Sequence, residues 1–337
     1  IMNNQLKNKK VLITGSEGFI GSHLLEKLLE RNCSVRAMTL YNSFNNWGWL
    51  ESFERSLIKE IDVVSGDIRD TKFINSCCED IDIIFHLASL IAIPYSYQSP
   101  YSYVDTNVMG TLNLLEAALA NNVEKFIHTS TSEVYGESTM VAISESSQVI
   151  SKSPYSASKI GADQIAYSYY STYDLPVSII RPFNTYGPRQ SMRAIIPTII
   201  AQALDNKQYI KLGSLYPTRD FCYVEDTISG FISISESEKS IGEVINIGSG
   251  FEISIKDLSD IIIKLTNTTS KIITDDKRVR PKKGEVDRLR ANINKARNTL
   301  GWQPAYRGKQ GLKEGLRKTI KWFSHNIKNY KTDIYNT

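Results

Sequence analysis

The chain is 337 residues long and 41% hydrophobic, with a formal net charge of +4, proportions ordinary for a soluble globular protein with a large core shared between two lobes. The charge is small and forms no long basic tract, so nothing in the composition calls for nucleic acid. Cys33, Cys77, Cys78 and Cys222 lack metal-ligand spacing and His23, His86, His128 and His325 are scattered singly, so neither a disulfide framework nor a metal site is expected. No signal peptide or spanning apolar stretch is read, which makes the expected compartment the cytoplasm, with no membrane partner.

In chain order, Lys9-Lys10-Val11-Leu12-Ile13-Thr14 predicts a buried strand running into Gly15-Ser16-Glu17-Gly18-Phe19-Ile20-Gly21. Leu24, Leu25, Leu28 and Leu29 then recur at helix period, so the glycines occupy a strand-to-helix turn. That is the context in which small residues let the backbone approach a pyrophosphate, with helix N–H groups and positive dipole aimed at it. Gly15, Gly18, Phe19, Ile20 and Gly21 are the cofactor-binding candidates there. Strand-like runs follow at Ser34 to Met38, Ile61 to Ser65, Asp82 to His86, Lys125 to Thr129 and Val177 to Arg181, alternating with helical patterns. The alternation predicts an α/β fold with a doubly wound parallel sheet. Residues 1–182 form the dinucleotide-binding part, while 183–219 and 249–337 form a smaller C-terminal substrate lobe with a closing helix marked by Leu312, Leu316, Ile320 and Phe323. Two further strands, Asp220 to Val224 and Val244 to Ile247, suggest that 220–248 returns to the first part.

Between the fifth and sixth strands lie Thr131-Ser132-Glu133-Val134-Tyr135-Gly136 and Tyr155-Ser156-Ala157-Ser158-Lys159. A phenol titrates near ~10 and is a poor base at neutral pH. Helical spacing puts Lys159 on the face of Tyr155, where an ammonium favours the phenolate, so that Tyr155 can take a hydroxyl proton while hydride leaves the same carbon. Alone, such a pair marks a solvated helix face; the glycine turn upstream makes it a catalytic pair. Glu133 adds a carboxylate that simple alcohol oxidation does not need.

With Gly-x-x-Gly-x-x-Gly, Tyr-x-x-x-Lys, Gly66-Asp67-Ile68-Arg69-Asp70, His86-Leu87-Ala88-Ser89, Asn107-Val108-Met109-Gly110-Thr111, Arg181-Pro182-Phe183-Asn184-Thr185-Tyr186-Gly187-Pro188 and Arg219-Asp220-Phe221-Cys222-Tyr223-Val224, the chain resembles the extended short-chain dehydrogenase/reductase superfamily over nearly its whole length. Many members modify nucleotide-linked sugars on a Rossmann sheet. A narrower likeness, in Leu90-Ile91-Ala92-Ile93-Pro94-Tyr95-Ser96-Tyr97 and Tyr41-Asn42-Ser43-Phe44-Asn45-Asn46-Trp47-Gly48-Trp49, is to the dehydratases of bacterial legionaminic acid pathways. That resemblance implies 4,6-dehydration of a nucleotide-linked N-acetylglucosamine, the GDP-sugar being favoured.

It also implies roles. Asp67 and Ile68 would border the adenine, and Leu87, Ala88 and Ser89 the phosphates or nicotinamide ribose, beside Tyr155 and Lys159. Asn184 would contact the diphosphate or sugar, with Arg219 first and Arg280 second as diphosphate candidates because a guanidinium pairs with oxyanions. A homodimer through helices near Asp105 to Asn121 and Tyr155 to Tyr173 is implied as well, although Ile160, Ile165 and Tyr169 could equally be core. The acid that usually ends the second strand of an NAD site is missing, since Thr39, Leu40, Tyr41 and Asn42 stand there. NADP therefore stays open beside NAD, which the resemblance favours; Arg36 could meet a 2'-phosphate.

In the reaction so implied, Tyr155 deprotonates the C4 hydroxyl with Thr131 as hydrogen-bond donor and Lys159 as electrostatic partner, and Glu133 removes the C5 proton made acidic by the C4 ketone. Loss of the C6 hydroxyl and return of hydride to C6 give a 4-keto-6-deoxy sugar. Many such dehydratases carry Thr-Asp-Glu, whereas this chain has Thr131-Ser132-Glu133, so the C6 hydroxyl is protonated either by Glu133 or through a relay at Ser132. UDP-glucuronate decarboxylases share Thr-Ser-Glu and are the alternative, ahead of a 4-epimerase, which would leave Glu133 idle. A reading of a different class, a cofactor-binding regulator without turnover, predicts an eroded site, and Thr131, Glu133, Tyr155 and Lys159 are all present.

Overall fold

The computed structural model describes residues 5–137, 141–279 and 284–330. Strands β1 (Lys10–Thr14), β2 (Ser34–Leu40), β3 (Ile61–Gly66), β4 (Ile83–His86), β5 (Lys125–Thr129) and β6 (Val177–Pro182), with a later strand Val244–Ile247, form one seven-stranded sheet. Across the sheet the order is Val244–Ile247, β6, β5, β4, β1, β2, β3, and every pair is parallel. The chain winds outward from β1 to β3, then crosses back to β4. A crevice opens where the winding reverses, at the carboxyl ends of β1 and β4.

Both faces of the sheet are covered, which is why its strands read as continuous apolar runs. Side chains alternate between the faces. Val11, Ile13, Val35, Ala37, Ile83, Phe85 and Ile127 pack with Leu24, Leu25 and Leu28 of helix Phe19–Glu30 and Phe231 of helix Val224–Ser235. Leu12, Met38, Ile84, Phe126 and Ile179 pack on the other side with Ile74, Leu114, Leu115, Ala166 and Tyr169. Tyr169 is thus core, bonded to Glu116, rather than free for a partner.

The stretch Asp220 to Val224, expected as one strand, is three pieces: Thr218–Asp220, Cys222–Tyr223, and a helix beginning at Val224. The reason is Asp220, whose buried carboxylate accepts from Ser249 N, Gly250 N and Ala291 N at 2.8, 2.9 and 3.0 Å, tying two loops to the strand end. Thr218–Asp220 pairs antiparallel with Glu252–Ser254, while Cys222–Tyr223 pairs with Thr185–Tyr186. Helix Val224–Ser235 then lies against the sheet next to helix Phe19–Glu30, and Val244–Ile247 joins the edge beside β6. The closing helix, Gly308–Asn326, buries Leu312, Leu316 and Phe323. Its Trp322 meets Trp49 edge-on at 5.3 Å, which anchors the segment leaving β2.

Candidate active site

Because the strands are parallel, the segments after β1, β3, β4 and β5 all emerge on one edge. After β1, Gly15 has φ +71°, and a Cβ there would lie 2.9 Å from Ala88 N, across the crevice. A Cβ on Gly21 would lie 2.1 Å from Gly15 O, so the helix start tucks beneath the strand end only because both residues are glycine. Gly15 N and Ser16 N donate to Met38 O, and Gly18, the N-cap, offers no side chain to the first turn. The N–H groups of Phe19, Ile20 and Gly21 are left facing outward at the positive end of the helix, a cradle that fits a pyrophosphate.

The neighbouring strand ends are held by side chains that the sequence reading passed over. Leu87 N donates to Thr14 O at 3.2 Å and Ala88 N to Thr14 Oγ1 at 3.1 Å. Thr111 Oγ1 donates to Asn107 O at 2.7 Å, so it accepts from His86 Nε2–H, and His86 Nδ1 in turn accepts from Thr14 Oγ1. This fixes a neutral imidazole, in keeping with burial, which pushes His86 well below the usual histidine range, helped by His128 and Lys159. Asn107, in a single wide π turn, bonds Leu90 N and O and donates to Ser158 Oγ at 2.9 Å, joining the β4 loop to the tyrosine helix. Ile68 is buried against Gly110, and Asp67 is paired with Arg69 at 2.6 Å, the hydrogen bond from Arg69 holding its carboxyl below the ordinary range. Arg36 does not reach toward a 2'-phosphate. Its guanidinium is engaged mid-strand by Asp62 at 2.7 Å and by the carbonyls of Cys77 and Glu79, both at 3.1 Å.

After β5 the backbone is extended at Thr131, whose hydroxyl accepts from Glu133 N at 3.3 Å and starts the short 3-10 turn Ser132–Tyr135. The helix Pro154–Tyr173 begins beside it, with Ser153 and Ser156 capping each other's backbone and Pro154 at the first position. Tyr155 is buried, in contact with Ile93 and edge-on to Tyr103 at 6.2 Å. Burial pushes its phenol up; the Thr131 hydroxyl pulls it down, and the Glu133 carboxylate raises it further. The Ser132–Tyr135 turn packs against the tyrosine helix, which brings the Thr131 and Glu133 segment to Tyr155. Lys159, one turn on, donates to Thr129 O at 2.6 Å. Burial lowers Lys159 to about 8 while Asp163 raises it. The Lys159 ammonium is turned to the β5 carbonyl, and burial is the largest influence on the tyrosine.

Beneath the pair, Asp163 accepts from Ser130 Oγ at 2.7 Å and from Arg181 Nη2 at 2.9 Å, with His128 Nε2 at 3.2 Å from Oδ1 but off a hydrogen-bond line. Burial would raise this carboxyl, but the groups around it, His128 first, hold it low. Arg181 also stacks over Tyr135 at 4.9 Å, and Tyr135 donates to Asn246 at 2.8 Å. Ser132 is buried at 2% exposure.

The substrate side is less assembled. Asn184 O accepts from Cys222 N at 3.0 Å. Arg219 is buried and committed to Glu285 at 3.2 Å and to Thr218 O at 2.9 Å. Arg280 lies outside the described residues. No helix among the described residues is long and apolar enough to cross a membrane, and no cluster of His, Cys, Asp or Glu among them could hold a metal.

A doubly wound sheet with an anion cradle at its winding reversal, and a tyrosine and lysine on the helix after β5, defines a Rossmann-fold enzyme of the extended short-chain dehydrogenase/reductase superfamily. More narrowly, the chain belongs to the GDP-mannose 4,6 dehydratase family, whose model matches residues 12–315. It is 34% identical over 329 residues to human dTDP-D-glucose 4,6-dehydratase, covering 96% of this chain and 92% of the relative. It also resembles the dTDP-glucose 4,6-dehydratase of Streptomyces venezuelae, solved with NAD bound (TM-score 0.82, 28% identity, 96% of this chain and 99% of that one). The UDP-glucuronic acid 4-epimerase of Bacillus cereus, solved with UDP-glucuronic acid and NAD, is similar to the same degree (TM-score 0.82, 31% identity, 95% and 99%). The chain thus sits among nucleotide-sugar 4,6-dehydratases and epimerases.

Proposed function

We propose that the protein is an NAD-using 4,6-dehydratase of a nucleotide-linked N-acetylglucosamine, with the GDP-sugar favoured. The observation that carries this reading is a carboxylate, Glu133, in the short turn that Thr131 starts and that packs against the Tyr155 helix. An epimerase that flips a C4 ketone needs no such second base.

The glycine cradle fits the pyrophosphate of NAD, with Asp67 and Ile68 toward the adenine and Leu87, Ala88 and Ser89 toward the nicotinamide end. A bound nicotinamide supplies storage for two electrons, taken at C4 and given back at C6. Everything else falls to the chain. Thr131 and Tyr155 hold the C4 hydroxyl, and Tyr155 takes its proton, the positive charge of Lys159 one turn away opposing the cost of forming a buried phenolate. The C4 ketone acidifies C5–H, and Glu133 removes that proton. Glu133, now protonated, then delivers the proton to the leaving C6 hydroxyl, and as hydride returns to C6 a solvent-derived proton carried in through Glu133 restores C5–H while Tyr155 releases its own to solvent, so that the sum is loss of one water. This route needs fewer groups than a relay through Ser132, which would need a further proton donor behind it.

The Leu90 to Tyr97 segment bears on the narrower likeness to legionaminic acid dehydratases, because its Ile93 and Leu90 pack in one cluster with Tyr155. For the diphosphate we assign Asn184, Arg219 and Arg280, Arg219 exchanging Glu285 for phosphate on binding. We place the enzyme in the cytoplasm as a homodimer paired through the helices near 105–121 and 155–173, where Met109, Tyr167 and Tyr173 remain exposed. Sedimentation at micromolar concentration tests the dimer. Incubation with GDP- and UDP-N-acetylglucosamine and UDP-glucuronate, read by mass, tests the reaction: loss of water supports dehydration, loss of carbon dioxide supports the decarboxylase instead, and neither removes the substrate assignment.

A further inference from the structure

β2 ends at Leu40 without the acid that dinucleotide sites usually set there for the adenosine ribose. A carboxylate nevertheless stands at that strand end, brought from the glycine turn. Glu17 Oε1 accepts from Leu40 N at 2.9 Å, while Oε2 is buried with no hydrogen-bond partner among the described residues. Its posture is fixed from the other side. Glu17 O accepts from Trp49 N at 3.0 Å, and Gly48, at φ +56°, lies so near that a Cβ would be 3.0 Å from Glu17 Cβ and 3.3 Å from Cγ. The segment leaving β2 is itself folded around Asn42, whose Oδ1 accepts from Phe44 N and Asn46 N and whose Nδ2 donates to Asn46 O. Trp49 docks it on Trp322 of the closing helix. The loop thus closes over the stem of Glu17 and holds its carboxylate between the phosphate cradle and the end of β2.

The cations nearby do not oppose this charge. Arg36 is held by Asp62, and Arg69 by Asp67. We propose that Glu17 replaces the missing β2 acid: its carboxylate takes the adenosine ribose hydroxyls and repels a 2'-phosphate, so that the site selects NAD against NADP. Beyond its bond from Leu40 N, Oε1 keeps a lone pair for a ribose hydroxyl, while the covered Oε2 contributes the charge. A 2'-phosphate would set like charge against a half-buried carboxylate, where low dielectric makes repulsion strong. The inference rests on the dinucleotide reading above and extends it to a named selecting residue.

The test is calorimetric titration of the purified protein with NAD and with NADP, for wild type, Glu17→Gln, Glu17→Ala and Glu17→Asp. Wild type should bind NAD at least about tenfold more tightly than NADP. E17Q keeps an oxygen for Leu40 N and loses only the charge, and should narrow that ratio about tenfold or more through tighter NADP binding. E17A, the second neutral variant, should move the ratio the same way, and E17D should preserve it. A purely structural Glu17 would leave the ratio of E17Q at the wild-type value, which overturns this inference alone. Wild type that binds neither dinucleotide overturns the dinucleotide reading as well.

Discussion

The turn after β1 and the turn after β5 leave the same edge of the same sheet, yet they are built by different means. The first is a backbone device: Gly15 and Gly21 let main chain meet main chain, and a helix start of this kind offers its unpaired N–H groups to an anion. The second is a side-chain device, in which Thr131, Glu133 and Tyr155 converge over a buried layer made by Asp163, Arg181 and His128. A cradle made of backbone tolerates changes in side chains around it but not a single added carbon. A catalytic cluster made of side chains tolerates conservative changes in shape but not in charge.

Substitutions separate the two most sharply. Tyr155→Phe should lower kcat about 10²- to 10⁴-fold, with dinucleotide affinity and thermal stability unchanged. Gly21→Ala should do the reverse of that selectivity, abolishing dinucleotide binding in calorimetry because Gly15 O stands 2.1 Å from the new carbon. A G21A protein that binds normally would break the comparison.

Next in size is the layer beneath the pair. Asp163→Asn leaves the Arg181 guanidinium buried at 5% side-chain exposure without its counter-charge, and denaturant unfolding should show a loss of about 3–5 kcal/mol. Equal stability of D163N and wild type would mean that the layer is not what holds the catalytic turn.

The smallest effect is a pH dependence with two signs. Lys159 is lowered from 10.5 to about 8 in the folded chain, so between those values the unfolded chain binds more protons and stability rises with pH. The gain is complete above the unfolded value and is lost as pH falls through about 8. Activity runs the other way, because the ammonium is the working form: kcat should decline as pH rises past about 8. In Lys159→Arg the decline should move to higher pH, since a guanidinium stays charged. A decline at the same pH in K159R would assign it to another group.

Much of the fold was legible because parallel strands covered on both faces must be apolar throughout. Lys125–Thr129 and Val244–Ile247 were read to the residue, and β1, β2, β3, β4 and β6 differ from the reading by one or two terminal positions. Asp220 to Val224 was misread because a buried aspartate that collects three backbone N–H groups leaves no period in the sequence. In the site, the glycines and the Tyr155/Lys159 spacing were visible since each is local. What was not visible is what long-range contact decides. Asn107 reaches Leu90 and Ser158, and Glu17 reaches Leu40 from 23 residues away. The one available signal for Glu17 was an acidic residue in a turn that otherwise wants small ones.

The claim on which the rest depends is that Glu133 moves a proton at C5. The measurement is turnover of the nucleotide sugar in deuterated water by wild type and Glu133→Gln, with deuterium at C5 read by mass and NMR. The account predicts that wild type incorporates solvent deuterium into product while E133Q, still binding dinucleotide and sugar, neither exchanges C5–H nor loses water. Native rates of turnover and exchange in E133Q would contradict it.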